Sequence, residues 1–208
     1  MAYILQLDSS ANLSSSASRR LTGEFAQHWA AAGPGREIHQ RDLHKDPLPH
    51  LPTNTLHFTA PRRPGDGLVP TPEATRLQDE LIGELAGAAR IVIGAPMYNF
   101  SMPSTLKAWL DYVHVIGSTS PSEEGIAPLR SKPVTVVSSR ATPTGADPRA
   151  DFVLGPLFTI LGGFMSMDAQ GFVVHTEPPA APGDFHRPYE LVRAELLAHA
   201  DEAISATG

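Results

Sequence analysis

The sequence has no cysteine, which excludes disulfides, thiolate metal sites and a cysteine nucleophile. No stretch is apolar for about 18 residues, the length a membrane-spanning helix needs. The first residues also lack the basic-then-apolar pattern of a secretion signal. A soluble, cytoplasmic protein is the expectation. Positive charge is in short supply: 16 Lys and Arg stand against 22 Asp and Glu, a net charge of -6. Such a surface does not draw nucleic acid or anionic membrane by bulk attraction. Two signatures of nucleotide binding are missing as well, the G-x-G-x-x-G fingerprint and the Walker lysine. The nine histidines include no i, i+4 pair with accompanying carboxylates, so no metal site is expected. His39, His44, His50 and His57 read as surface loop residues. "PSEE" (121–124) reads as a solvated turn.

What is present is an alternation of short apolar runs and amphipathic stretches over 208 residues, a length suited to one domain spanning 1–208. "YILQL" (3–7), "REIHQRDL" (36–43), "RIVIGAP" (90–96), "PVTVVSS" (133–139) and "FMSMDAQGFVVHT" (164–176) read as five strands, with Ile38 the clearest inward position of the second. Leu21, Phe25 and Trp29 share a helical face. Further helices are expected over 71–88, opened by Thr71 and Pro72, over 101–117, over 149–164 and over 188–205. Residues 44–71 show no period and read as a long loop excursion. In it, His57 and Phe58 are candidates for a lid. The alternation predicts an α/β fold: a five-stranded parallel sheet with helices on both faces. Such sheets bind ligands at the carboxyl ends of their strands.

Three loops at those ends carry the chemistry. The first, "SSANLSSSASRRL" (9–21), holds six serines and leads into a helix. Ser10, Ser16 and Ser18 can converge on one phosphate beside the free amides of the helix N-terminus, supplying donors without charge. An ordinary loop with Ser16 or Ser18 as a helix cap fits the spacing equally well. The second loop, "APMYNFSMPSTLKAWLDYV" (95–113), gathers types that suit a flat heteroaromatic ligand. Met97 and Phe100 are alternatively core residues capping the sheet. The third, "SSRATPTGAD" (138–147), is small and polar, which lets backbone approach a ligand. Trp109 and Tyr112 lie partly off the core stripe of their helix and fit either the core or an interface.

These loops, together with "QRDL...PLP" (40–49), "QDELIGELAGA" (78–88) and above all "IGAPMYNFSMPSTLKAWLDYV" (93–113), resemble the FMN-dependent NADH azoreductases. That family belongs to the flavodoxin-like superfamily, which also contains NAD(P)H:quinone reductases, and the likeness runs over nearly the whole chain. It implies a flavodoxin-like homodimer binding one FMN per subunit. NADH or NADPH would be the electron donor, and a quinone, azo or nitro compound the acceptor. By the resemblance, Ser10, Ser16 and Ser18 with the amide of Ala17 hold the FMN phosphate. Met97, Tyr98, Asn99 and Phe100 line the isoalloxazine, and Ser139, Arg140, Ala141 and Thr142 contact its far edge. No side chain need act as a catalytic nucleophile, because the flavin carries the chemistry.

Two departures stand out. Ala141 and Thr142 occupy places where the family usually has glycines, and a Cβ there matters if positive φ is required. The segment 114–133 is shorter than in the family and has no Phe or Tyr, so the floor of the site is kept and its aromatic roof is not. Two other functions remain open: a specialised biosynthetic flavoenzyme acting on one polycyclic or quinonoid metabolite, and a non-enzymatic electron-transfer module.

Overall fold

The computed structural model describes residues 1–65, 67–121, 128–141, 151–178 and 186–205. Five strands form one sheet in the order β2-β1-β3-β4-β5, and every neighbouring pair is parallel. The strands are β1 Ala2–Asp8, β2 Arg36–Asp42, β3 Arg90–Gly94, β4 Pro133–Arg140 and β5 Asp168–His175. The helices are α1 Ala17–Ala31, α2 Pro72–Gly87, α3 Ser104–Val113, α4 Leu154–Leu157 and α5 Tyr189–Ser205. This is the doubly wound sheet expected from the alternation of elements.

The near-continuous apolar runs are explained by burial on both faces. Leu5, Leu7, Ile91, Ile93, Val134 and Val136 point into one core with α2, α3 and α4. Ile4, Val92, Val137 and Val174 alternate with them and point into a second core under α1 and α5. Trp109 and Tyr112 are fully buried in the first core, so they fill the molecule and are not surface for an interface.

Several expectations need correction. Ile38 is exposed, because β2 is an edge strand with a single neighbour and is largely uncovered along its length. The helix expected over 101–117 is confined to Ser104–Val113. Ser101 is taken up in a turn with Tyr98, and Pro103 stands at the cap. The helix expected over 149–164 has a single α-helical turn, Leu154–Leu157, and continues with π-helical bonding through Phe158–Phe164. The excursion at 44–71 contains two 3-10 turns, Asn54–His57 and Ala60–Arg62. Leu56 of the first is buried, and its carbonyl accepts a bond from Gln78 Nε2 at 2.9 Å.

The strand ends that matter are level. Asp8 is in register with Asp42 on one side and with Gly94 on the other. Here the connections leave β1 and β3 toward opposite faces, which opens a crevice between them. Gly94 sets how closely α1 approaches: a Cβ there would lie 3.1 Å from Asp8 Oδ1, 3.4 Å from Thr22 Cγ2 and 3.6 Å from the Ser18 Cβ. Gly94→Val is therefore expected to lower stability by about 1–3 kcal/mol through overpacking. A urea midpoint equal to that of the parent would show that α1 can retreat freely.

Candidate active site

Above those strand ends lies an open cavity of about 410 Å³. Its wall comes from the loop after β1 (Ser10, Asn12, Ser15, Ser16), the start of α1 (Ala17), the loop after β3 (Pro96, Met97, Tyr98), the end of β4 (Ser139, Arg140, Ala141) and Thr176 after β5. Among the described residues no carboxylate lines it.

Loop 1 is built around the start of α1. Asn12 Oδ1 accepts the amides of Ser14 and Ser15 at 3.1 and 3.0 Å, an Asx turn that bends the chain toward the helix. Ser16 is the N-cap: its Oγ accepts the Arg19 amide at 3.3 Å and lies 3.1 Å from Ser18 Oγ. The first backbone bond of the helix runs from Arg20 N–H to the Ser16 carbonyl. The amides of Ala17 and Ser18 precede it and have no helical carbonyl to reach. Ser16 both caps the helix and lines the cavity.

Two ties hold this loop down. Ser9 donates from its Oγ to the Gly94 carbonyl at 2.6 Å. Arg19 donates to the Ser10 carbonyl from Nε and Nη2 at 3.0 and 2.7 Å. The same guanidinium grips Asp42 in a fork, Nη1 to Oδ2 at 2.6 Å and Nη2 to Oδ1 at 2.8 Å. Burial pushes the Asp42 carboxyl up, but the Arg19 fork and the amides of Lys45 and His44 outweigh it, and its pKa is held down at about 2. With its charge answered by Asp42, Arg19 fixes the backbone of the loop and leaves the cavity's donors neutral.

Loop 2 is strained. Tyr98 and Ser101 exchange backbone bonds at 2.9 and 3.1 Å, and the two residues between them, Asn99 and Phe100, have φ of 50° and 59°. Both left-handed central positions define a type I′ turn. Asparagine accepts this region readily, whereas for phenylalanine it costs about 1–2 kcal/mol. The Tyr98 hydroxyl reaches across to loop 1, accepting the Ala11 amide at 2.9 Å and meeting Ser10 Oγ at 3.1 Å. Met97 N–H donates to the Ser139 carbonyl at 2.8 Å, which joins loop 2 to loop 3.

At the root of loop 3, Arg140 turns inward. Its guanidinium pairs with Asp151 in the interior and donates to Ser138 Oγ at 2.8 Å. Burial raises the Asp151 pKa, but the Arg140 bond and the amides of Leu154 and Val153 pull it below its ordinary value. Ala141 is not among the described residues with positive φ, so its Cβ fits the backbone this chain adopts.

Of the residues singled out from the sequence, the structure brings Ser10, Ser16, Ala17, Met97, Tyr98, Ser139, Arg140 and Ala141 together around one cavity. Ser18 is buried behind Ser16. Asn99 and Phe100 stand in the adjoining turn, and Phe100 is exposed and no part of the core. Thr142 lies outside the described residues, as do Ser122, Glu123 and Glu124 of "PSEE". His57 and Phe58 pack against Ile116 and do not line the cavity. Asn12, Ser15 and Thr176 were missed. Thr176 had a signal, because it directly follows a strand on the side where parallel sheets bind ligands. Among the described residues no cluster of His, Asp or Glu could hold a metal ion, and no helix is long and apolar enough to cross a membrane.

A family model described as a flavodoxin-like fold matches residues 2–194. A protein of Kineococcus radiotolerans named FMN-dependent NADH:quinone oxidoreductase is 41% identical over 185 residues, covering 87% of this chain and 85% of that protein. The chain belongs to this flavodoxin-like family of FMN-dependent NADH:quinone oxidoreductases. A second member, from Hyphomonas neptunium, is 35% identical over 196 residues, 91% of this chain and 76% of its own length. Among solved structures, an FMN-dependent NADH-azoreductase from Bacillus anthracis in complex with FMN superposes with a TM-score of 0.73. That match covers 99% of both chains at 19% identity, a likeness of fold.

The residues present fit the cofactor that names the family. Unpaired amides at the positive end of α1 and neutral hydroxyls, in a wall whose described residues include no carboxylate, suit a phosphate dianion. Pro96 and Met97 offer an apolar surface beside them for a flat ring. The hold on loop 1 is itself titratable. A depressed native pKa contributes stability that is complete above the unfolded value near 4 and is lost as pH falls toward about 2. The advantage of the parent over Asp42→Asn, read from urea midpoints, is therefore expected to be constant from about pH 7 to 5 and to shrink below about pH 4. A difference that does not change down to about pH 3 would remove Asp42 from this role.

Proposed function

We propose that the protein is an FMN-dependent oxidoreductase that draws electrons from NADH or NADPH and delivers them to a quinone, azo or nitro compound. We propose further that it works as a single-domain homodimer in the cytoplasm. Membership of the family supports the reaction class, and the exposed side chains of Ile116 and Phe164 support contact with a second copy.

The observation that carries the reading is the pairing of a helix N-terminus with an apolar strand tip across one cavity. Ser10 and Ser16 hydroxyls and the Ala17 and Ser18 amides would bind the phosphate of FMN, with Ser18 Oγ orienting Ser16. Met97 and Tyr98 would lie along the ring system. The amides of Asn99 and Phe100, which the type I′ turn leaves out of its own bonds, and the backbone at Ser139 to Ala141 would donate to the ring's polar edge. Thr142 completes that set in the proposal. FMN, when bound, supplies the two-electron chemistry that links a nicotinamide donor to the acceptor. The chain's part is to hold the ring, exclude water from one face and place neutral donors where negative charge gathers.

The test begins with the visible spectrum of the purified protein after incubation with FMN and gel filtration. A yellow protein that NADH bleaches, and that a quinone restores, is expected. A protein that stays colourless with added FMN would overturn the reading, and one that NADH cannot bleach would be an electron-transfer module. Ser16→Ala removes a cap and a phosphate donor together, so FMN affinity is expected to fall about 2- to 30-fold. Unchanged affinity would take Ser16 out of the phosphate site.

A further inference from the structure

Phe100 and Phe152 are 62% and 52% exposed, yet they are placed with care. Their ring centroids lie 5.8 Å apart at an interplanar angle of 80°, an edge-to-face pair. They come from different parts of the chain. Phe100 is the strained position of the turn that follows Met97 and Tyr98, two residues of the cavity wall. Phe152 follows Asp151, whose carboxylate is held by Arg140 of the same wall and accepts the Val153 and Leu154 amides at 2.8 Å each. A buried ion pair and a left-handed backbone thus support two rings that contribute little to the core.

We propose that Phe100 and Phe152 form the corner that binds the electron acceptor and select planar acceptors of two or more fused rings. The proposal rests on the reductase reading given above and deepens it. Two phenyl rings at right angles make a floor and a wall. A flat ring system stacked on one presents its edge to the other, which matches the preference of aromatic rings for offset and edge-to-face contact. A single-ring acceptor covers one phenyl, whereas a fused pair spans both. Continuity with the cavity wall through loop 2 and through Arg140 directs the corner at a small molecule in that cavity. The segment 114–133, with no Phe or Tyr, supplies no rival aromatic surface.

The test is equilibrium titration of the oxidised, FMN-loaded protein without NADH, using 1,4-naphthoquinone and 1,4-benzoquinone. The absence of cysteine removes thiol addition as a side reaction. Phe152→Ala is expected to weaken naphthoquinone binding about three- to tenfold and benzoquinone binding less than about twofold. Phe152→Tyr should retain the parent's ratio, and flavin absorption should be unchanged in both variants. Equal weakening of the two quinones, or of neither, would overturn the proposal. So would a Phe152→Ala variant that falls apart into monomers in sedimentation while its quinone affinities stay as in the parent, because the pair would then serve an interface. A parent protein that takes up no FMN would reject the reductase reading itself, whereas an FMN-loaded parent whose two quinone affinities respond alike to Phe152→Ala would overturn the aromatic corner alone.

Discussion

The first turn of α1 carries amides that no carbonyl of the helix can satisfy; Ser16 Oγ takes that of Arg19, and the site is arranged around those of Ala17 and Ser18. Gly94 lets the helix come down onto β3. Ser9 fastens the loop to the strand below it, and Arg19 fastens it to the neighbouring β2 end through Asp42. Thr22 donates to Asp8 at 2.8 Å, and Gln6 and Gln40 donate to the same buried carboxylate at 2.8 and 3.0 Å. Polar groups beneath the helix are thereby used up among themselves. Those above it, at the cavity, are the ones proposed to hold the phosphate.

The charges follow the same division. Arg19 is matched by Asp42 and Arg140 by Asp151, each pair fixing a loop at its root. The cavity therefore presents hydroxyls, amides and a helix dipole, and the Arg140 charge in its wall is answered by Asp151. A buried cation left unpaired would have to be desolvated at considerable cost. The pairing avoids that penalty and still delivers donors at fixed positions. Tyr98 extends the scheme by linking loop 2 to loop 1 through a single hydroxyl, so that the proposed phosphate and ring subsites share one scaffold.

Much of this was legible in the sequence because it is local. Continuous apolar runs announced central strands, and β3 and β4 are buried along nearly their whole length. The serine run before a helical pattern pointed to a helix start at a strand end, and Ser10, Ser16 and Ala17 line the cavity there. What failed was what depends on neighbours distant in sequence. Ile38 looked inward by its alternation, but alternation does not tell an edge strand from a central one. Arg19 and Asp42 are 23 residues apart, and nothing in either stretch advertises their fork. Phe152 was invisible for the same reason: an aromatic in a polar region has no periodic signal, and only the folded chain sets it beside Phe100. Trp109 and Tyr112 were ambiguous on a helical wheel. Burial in the core that α3 shares with α2 and the sheet decided the matter.

The tie between Arg140 and Asp151 has an evolutionary side. It staples together the two ends of a ten-residue span (141–150) in the sequence. With the closure fixed by an interior ion pair, changes between the ends leave the stem and the sheet unaffected, and added length costs little entropy. Descendants of this chain can thus rewrite this span or insert new side chains, while the bulkhead beneath keeps its shape. New side chains have a ready-made place to appear, on a hinge plate that selection need not rebuild.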